Sequence, residues 1–310
     1  MSIRRCTSRR FSRGILIVAA MSAAILLPKA SLSMQEVDQS STPELLASMS
    51  WDRTFAGNQL DLTGFNLTFA DDFDSFSITA DLGKGPWYAP VHGPFGGAPF
   101  MPPTLEGPFF IQDGQLTIRM EKKNEKWRSG LMQTMNSRGV GFAQRYGYFE
   151  MRARFPPGHG SWPAFWLLSS NQYTDPSQTR VEIDIVEAYG KQNWSRLHSS
   201  VHLWPAKRLR EGEISKHWWK STQNIVAGNM FGDEWHVYGA AVTPDYVIIY
   251  FNRLEVARFP MLSEFHTPLY VVVDLALFEK EAPNAISPME MAVDYVRVWQ
   301  NPEWEKANVQ

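Results

Sequence analysis

Short apolar segments with turn residues between them recur along the chain, and this pattern constrains the fold more than any other feature. Gly, Pro, Asn or Asp bound each segment, as is typical of strands. No long stretch shows helical periodicity, so the pattern does not indicate strands that alternate with helices in a parallel sheet. The sequence therefore predicts an all-β protein whose antiparallel sheets pack as a sandwich. The predicted strands are Leu116–Met120, Tyr148–Arg154, Ala164–Leu168, Val181–Val186, Tyr246–Phe251, Leu269–Leu275 and Met291–Trp299.

The segment VEIDIVEA at residues 181–188 places three carboxylates on one predicted strand. Side chains alternate between the two faces of a strand, so Glu182 and Asp184 share one face and the isoleucines point to the other. Simple alternation would put Glu187 on the isoleucine side, where an unpaired carboxylate is costly. A β-bulge at Ile185 or Val186 would absorb one residue and return Glu187 to the face of Glu182.

Three carboxylates on one face repel one another, which raises at least one pKa and keeps one group protonated near neutral pH. Glycoside hydrolysis needs this combination, because one carboxylate attacks the anomeric carbon and a protonated acid donates to the leaving oxygen. A solvated strand face or a calcium cluster would also explain the three residues, so the segment alone leaves these alternatives open.

Four segments in order along the chain carry a family resemblance: YGYFEMR at 146–152, PGHGSWPAFWLL at 157–168, EIDIVE at 182–187 and VDYVRVW at 293–299. Together they closely resemble the landmarks of glycoside hydrolase family 16, which contains laminarinases, lichenases, agarases, carrageenases and bacterial exopolysaccharide glycanases. The resemblance runs from about Phe69 to Trp299. Its ExDxxE motif is specific in this setting.

The resemblance implies a β-jelly-roll of two curved antiparallel sheets, similar to the concanavalin A-type lectins, with a substrate groove across the concave face. It also implies a retaining double displacement. Carried over position by position, Glu182 resembles the nucleophile, Glu187 the general acid/base, and Asp184 the residue between them that steadies the nucleophile.

Aromatic residues near the carboxylate strand are predicted to bind sugar. Trp162 and Trp166 alternate onto one face of their strand, and their flat indoles suit the C–H faces of sugar rings. For Trp166 a place in the sandwich core is an equal alternative. His202 matches a histidine that many family members place beside the carboxylates, where it would hydrogen-bond a carboxylate or a substrate hydroxyl, although a lone strand histidine also serves structural roles.

The segment from Asp81 to Gly107 is rich in Gly and Pro, and its composition excludes a regular element. Long loops inside compact domains usually have a function. Trp87 and Tyr88 are therefore predicted to line a binding cleft, with the alternative that they only attach the loop to the body of the domain.

Five further polar residues also receive assignments. We interpret Glu150 as a structural partner of an Arg or Lys, and His236 as structural. Asp274 stands where family members often have Asn, so it adds a charge whose environment the sequence does not define. The resemblance implies no required cofactor. Many members bind a structural calcium ion on the convex side, and Asp294 and Asp72 would be its ligands here.

The N-terminus has the composition of an export signal. An Arg-rich start, the apolar run Gly14–Leu27 and the small residues Ser31 and Ser33 predict a secretory signal peptide. The run is shorter than the roughly 20 residues that span a bilayer as a helix, so a retained anchor is the less favoured alternative. A paired arginine only partly fits a twin-arginine signal. The predicted organisation is a signal peptide at 1–33, a linker at 34–55, the hydrolase domain at 56–302 and a tail at 303–310.

Loss of the leader changes the charge and the cysteine content. Six basic residues and no acidic ones leave with it, so 24 Lys and Arg remain against 32 Asp and Glu, a net charge near −8. This charge disfavours nucleic acid as a partner. Cys6, the only cysteine, also leaves, which excludes disulfides, thiolate metal sites and a cysteine nucleophile in the processed chain.

These observations predict a secreted or periplasmic, monomeric, retaining endo-β-glycanase that acts on a β-glucan-type or bacterial exopolysaccharide and has no membrane partner after its leader is removed. Two alternatives remain. A transglycosylase would use the same residues but exclude water from the second half-reaction, and a lectin would use the same groove without turnover.

Overall fold

The structure is a computed structural model. It describes residues 58–90, 95–191, 195–206, 216–225 and 229–306. The signal peptide predicted at 1–33 and the linker predicted at 34–55 lie outside these residues. Within the described ranges, no helix has both the length and the hydropathy that a bilayer-spanning segment requires.

Strands dominate the described part of the chain, as the alternating pattern predicts. Its helices are α1 (Asn171–Thr174), α2 (Pro302–Lys306) and two short 3₁₀ helices, Ser263–Phe265 and Glu279–Asn284. The strands are β1 (Asn66–Asp71), β2 (Ile78–Ala80), β3 (Trp87–Ala89), β4 (Phe109–Gln112), β5 (Gln115–Lys123), β6 (Lys126–Arg128), β7 (Leu131–Gln133), β8 (Gly147–Arg154), β9 (Ser161–Ser169), β10 (Arg180–Glu187), β11 (Arg196–Trp204), β12 (Trp218–Ile225), β13 (His236–Val242), β14 (Tyr246–Phe251), β15 (Leu254–Pro260), β16 (Leu269–Leu277) and β17 (Met289–Gln300).

The strands form two sheets. Sheet A has the order β15-β14-β13-β8-β17-β5-β4, with β1 paired to β17 and β6 paired to β5. Sheet B has the order β12-β11-β10-β9-β16-β7-β3-β2. Among the described strands, neighbours pair antiparallel apart from β2 and β3, which are parallel. The seven predicted strands are all present, and the predicted antiparallel sandwich is confirmed.

The main core lies between the two sheets, and strands such as β9 and β11 bury alternate residues there. On β10 the core-facing residues are apolar, and they include Val181 and Ile183. Sheet A contributes Val296 and Val298 from β17 to the same cluster. β16 differs because all nine of its residues are buried, so both of its faces are covered.

The C-terminal boundary predicted at residue 302 is wrong. Helix α2 packs Trp304 edge-on against Phe65, with ring centroids 5.1 Å apart. Glu305 forms an ion pair with Arg145 at 2.8 Å. Residues 303–306 are therefore part of the domain and not a free tail.

The Gly- and Pro-rich segment at 81–107 also departs from expectation, because it contains the short strand β3. Further along, Gly96 adopts φ +75°, and a Cβ at this position would lie 2.6 Å from the carbonyl oxygen of Leu277. Only glycine fits this close approach. The backbone N–H of Gly97 donates to the same carbonyl at 2.8 Å, which fixes this part of the segment to the end of β16.

Candidate active site

A β-bulge in β10 gathers the three carboxylates. Asp184 and Glu187 are three residues apart on β10, whereas their partners on β11, Ser200 and His198, are two residues apart. The two intervening residues on β10 are both fully buried in the core. The predicted bulge is thus confirmed, and it turns Glu187 to the face that carries Glu182 and Asp184.

This face of sheet B, which points away from the core, is called the outer face. Directly opposed residues of antiparallel strands share a face, so the register defines three rows across β12, β11, β10, β9 and β16. The rows are Trp219-His202-Glu182-Leu168-Tyr270, Ser221-Ser200-Asp184-Trp166-Val272 and Gln223-His198-Glu187-Ala164-Asp274.

Glu182 of β10 has its partners on the neighbouring strand β11. The indole N–H of Trp204 donates to its Oε2 at 3.0 Å, and Nε2 of His202 is 3.9 Å from its Oε1. Burial and the neighbouring Asp184 raise the pKa of Glu182 to about 8, although His202 and Trp204 oppose the shift. The carboxyl group therefore retains its proton over much of the neutral range.

Asp184 lies between the two glutamates and accepts two hydrogen bonds at Oδ2. The Ser200 hydroxyl donates at 2.5 Å, and Nε2 of His202 lies at 2.9 Å. Burial alone would lower the pKa of His202, but the hydrogen bond and charge of Asp184, with Glu182 and Glu187, raise it. Nδ1 of His202 is 2.9 Å from Nε2 of His217, so both ring nitrogens of His202 have partners.

Glu187, at the end of β10, has its partners on β9 and just after β10. The indole N–H of Trp162 donates to its Oε1 at 3.0 Å, and the hydroxyl of Tyr189 donates to the same atom at 3.3 Å. The rings of Trp162 and Tyr189 stack, with centroids 5.6 Å apart. Burial, followed by the charge of Asp184, raises the pKa of Glu187 to about 7. Such a group can both give and take a proton near neutral pH.

A fourth carboxylate, Asp274, lies beside the cluster on β16. It is fully buried, and its Oδ1 accepts the indole N–H of Trp166 at 2.7 Å. Its Oδ2 has no hydrogen-bond partner among the described residues. Burial raises the pKa of Asp274 well above its usual range, and Glu187 and Asp184 add to the shift. The environment that the sequence left undefined thus favours the neutral acid.

Three of the predicted sugar-binding residues lie in this site: Trp162, Trp166 and His202. Each is partly exposed and hydrogen-bonds a carboxylate of the outer face. Their contact with substrate remains a prediction.

The assignment of Trp87 to the cleft is wrong, whereas that of Tyr88 stays a prediction. Trp87 is fully buried in the main core and donates its indole N–H to Asp71 at 3.0 Å. Tyr88 pairs with Gln133 of β7, which places it on the outer face, but only 5% of it is exposed. The segment does reach the site through Phe95, whose ring meets Trp162 and Trp166 edge-on at 5.9 and 5.8 Å.

The two predicted calcium ligands have arginine partners in the structure. Asp294 forms an ion pair with Arg152 at 2.5 Å, and Asp72 forms one with Arg297 at 2.7 Å. Neither belongs to a group of three metal-ligating side chains within the described residues. The calcium site itself stays a prediction.

The site residues that were not predicted include Trp204, Tyr189, His217 and Phe95. Trp204 and Tyr189 each follow a predicted site residue by two positions, so strand alternation would have placed them on the same face. His217 and Phe95 reach the site from distant parts of the chain, and no local pattern marks them.

Comparison with known proteins identifies the family. The model for "Glycosyl hydrolases family 16" matches residues 104–296, more than half of the chain. The chain therefore belongs to glycoside hydrolase family 16, and the predicted β-jelly-roll is confirmed.

Two curated relatives and one solved structure illustrate the similarity. The endo-1,3-1,4-beta-glycanase EglC of Rhizobium meliloti is 30% identical over 77% of this chain and 53% of its own length. ExsH, described by the same activity in that organism, is 28% identical over 79% of this chain and 54% of its own length. The chain thus spans about half the length of these relatives. The catalytic domain of a laminarinase from Thermotoga petrophila superposes with a TM-score of 0.60 at 20% identity, covering 77% of this chain and 98% of that domain.

Proposed function

We propose that this protein is a retaining endo-β-glycanase that hydrolyses internal bonds of a β-glucan-type polysaccharide or bacterial exopolysaccharide. The β10 bulge carries the proposal, because it places Glu182, Asp184 and Glu187 on one partly exposed face among indole N–H donors. Family membership supports the same chemistry.

In the proposed first step, a carboxylate oxygen of Glu182 attacks the anomeric carbon while Glu187 gives its proton to the leaving glycosidic oxygen. In the second step Glu187 takes a proton from water, and the hydroxide oxygen displaces Glu182 from the glycosyl ester. Asp184, held by Ser200 and His202, lies between the two glutamates and steadies the nucleophile. The two displacements together retain the β-configuration.

The proposed roles need Glu182 ionised and Glu187 protonated, whereas the pKa is about 8 for Glu182 and about 7 for Glu187. The two values are close, so one proton shared between the glutamates is the dominant state between about pH 7 and 8. A glycosidic oxygen that accepts a hydrogen bond from Glu187 would hold that proton on Glu187. We therefore expect kcat/KM to be bell-shaped with its maximum in this range.

The substrate proposal is drawn from relatives. Those named for endo-1,3-1,4-β-glycanase activity match most of this chain, and a relative from Niallia circulans is named a glucan endo-1,3-beta-glucosidase. Neutral β-linked glucose polymers also suit the aromatic surroundings of the carboxylates. Together with the predicted leader, this supports action outside the cytoplasm, in the periplasm or the medium.

A reducing-sugar assay over laminarin, lichenan, agarose and a native exopolysaccharide tests the proposal. We expect reducing ends to be released from at least one β-glucan. Products of intermediate size should appear first and then disappear, because an endo-acting enzyme cuts internal bonds. Proton NMR during early turnover should detect the β-anomer first, and an α-anomer would overturn the retaining assignment. Product sizes at high acceptor concentration separate hydrolysis from transglycosylation.

A binding protein without turnover is the second candidate. One relative, from Penaeus monodon, is named a beta-1,3-glucan-binding protein and is 29% identical over 39% of this chain. The complete set of Glu182, Asp184 and Glu187 favours catalysis. Tight binding to laminarin with no release of reducing ends would instead support the binding protein.

A further inference from the structure

The outer face of sheet B is covered over one part of its width. All of β16 is buried, and Tyr173 of α1 stacks on Tyr270 with centroids 6.0 Å apart. Phe95 meets Trp162 and Trp166 edge-on and closes the same side. Substrate that reaches the carboxylates therefore has little open surface over β16.

The opposite side of the same face is open. The outer-face residues of β12 are Trp219, Ser221 and Gln223, and all three are exposed. Trp219 is 44% exposed, although it is a large apolar side chain. Exposed indoles of this kind mark binding surfaces when they continue an organised site.

Trp219 continues a series of parallel rings that starts at the carboxylates. Trp204, which donates to Glu182, stacks on His217 with centroids 3.7 Å apart and planes 4° apart. The ring of Trp219 lies 5.4 Å from His217 at 17°. These three rings are called the β12 platform. They form a parallel stack in which His217 covers one face of Trp204, and Trp219, which is the exposed ring of the three, lies at the edge of the sheet.

We propose that the β12 platform is a binding site for uncharged β-linked pyranose units of the polysaccharide, beyond the units that contact Glu182 and Glu187. Flat rings stack on the apolar C–H faces of such sugars. Ser221 carries a hydroxyl group, and Gln223 carries an amide whose oxygen accepts a hydrogen bond from Arg196 at 2.8 Å. Both groups suit sugar hydroxyls. This inference rests on the proposed function and adds that the chain is held mainly on the β11–β12 side.

The test uses Trp219→Ala and Trp219→Phe, with Phe76→Ala as the control, because Phe76 is 48% exposed and belongs to neither the carboxylate cluster nor the β12 platform. Initial rates are measured on laminarin and lichenan and on their tri- to octasaccharides. Dissociation constants for the same oligosaccharides are measured in a Glu187→Gln background. We expect Trp219→Ala to raise the dissociation constant of long oligosaccharides roughly tenfold and that of the trisaccharide less than twofold. Trp219→Phe should recover part of the lost affinity.

Equal dissociation constants for Trp219→Ala and Phe76→Ala at every oligosaccharide length would overturn the proposed binding role of the β12 platform. A loss of affinity in Trp219→Ala that is the same for every oligosaccharide length would also overturn it, because Trp219 would then contact the sugar units at the cleaved bond. Failure of the proposed function is distinguishable, since the wild-type protein would then release no reducing sugar while the binding series still reports on the platform.

Discussion

The carboxylates of the two sheets differ in the donors around them. Glu150 of sheet A is fully buried and accepts hydrogen bonds from Tyr148, Tyr295 and Arg253 at 2.8–2.9 Å. On sheet B, the carboxylates of the β10 bulge receive indole, hydroxyl and imidazole donors. Within the described residues, none of these three forms an ion pair with Arg or Lys.

The difference distinguishes a carboxylate paired with an arginine from carboxylates that can exchange a proton. The arginine beside Glu150 compensates its charge, as buried carboxylates generally require. At the bulge, burial and mutual repulsion are only partly compensated, so the pKa values of Glu182 and Glu187 rise to about 8 and about 7. Groups of this second kind are the ones expected at sites of proton transfer.

The largest expected effect is on catalysis at the bulge. Glu187→Gln keeps an oxygen for the indole N–H of Trp162 but removes the exchangeable proton. We expect kcat on polysaccharide to fall about 10²–10⁴-fold with little change in melting temperature. An aryl glycoside whose leaving group needs no proton should lose far less in its first step. Equal losses on both substrates would contradict the acid role.

Glu150→Gln should show the opposite behaviour. It removes the charge that Arg253 and two tyrosines surround, so we expect the free energy of unfolding to fall by about 2–4 kcal/mol. The folded fraction should keep normal kcat. Glu290→Gln is the matched control, because its ion pair with Arg119 is exposed and should contribute less than about 1 kcal/mol. Denaturant unfolding compares the two variants, and equal stability losses would remove the distinction between them.

Strand periodicity was enough to predict the sandwich and the bulge. Both follow from local alternation, because a carboxylate at odd spacing on a core strand must either be buried unpaired or be turned outward. The structural role of Glu150 was also predictable in kind, and its partner is Arg253. The carboxylate positions therefore required only the sequence of β10 and its neighbours.

Residues held by long-range packing were not predictable in this way. Trp87 and Phe95 both lie in the Gly- and Pro-rich segment, and only the path of the backbone decides that the first enters the core and the second reaches Trp162. Likewise, the arginines that neutralise Asp72 and Asp294 come from positions that no local spacing connects to them.

Stability should depend on pH through the bulge. The pKa of Glu182 is raised from 4.5 to about 8, so folding favours its protonated form. The stabilisation is therefore fully present below about pH 4.5 and is lost as the pH rises through 8. Compared with the wild type, Glu182→Gln should gain stability from pH 5 to 8, by about 1–3 kcal/mol at pH 8. Thermal unfolding at several pH values measures this difference, and parallel curves would show that Glu182 is ionised throughout.

The smallest effect is expected at Asp274, which tests whether a buried carboxylate without a cation is neutral. Asn has the same shape and keeps an oxygen for the indole N–H of Trp166, which lies 2.7 Å from Oδ1. If the raised pKa of Asp274 leaves it protonated at pH 7, Asp274→Asn exchanges one neutral group for another. We then expect the free energy of unfolding to change by less than about 1 kcal/mol, and kcat by no more than a few-fold.

Asp274→Leu provides the contrast, because it leaves the indole N–H of Trp166 without its acceptor and should cost about 1–3 kcal/mol. An ionised Asp274 would give a different result. Asp274→Asn would then remove an uncompensated buried charge, stabilise the protein by several kcal/mol at pH 7, and lose that gain at pH 4, where the wild-type carboxyl is protonated. Unfolding measurements at these two pH values distinguish the outcomes. A stabilising Asp274→Asn would mean that sheet B holds a buried charge without a cation. The difference between Asp274 and Glu150 would then not be one of protonation state.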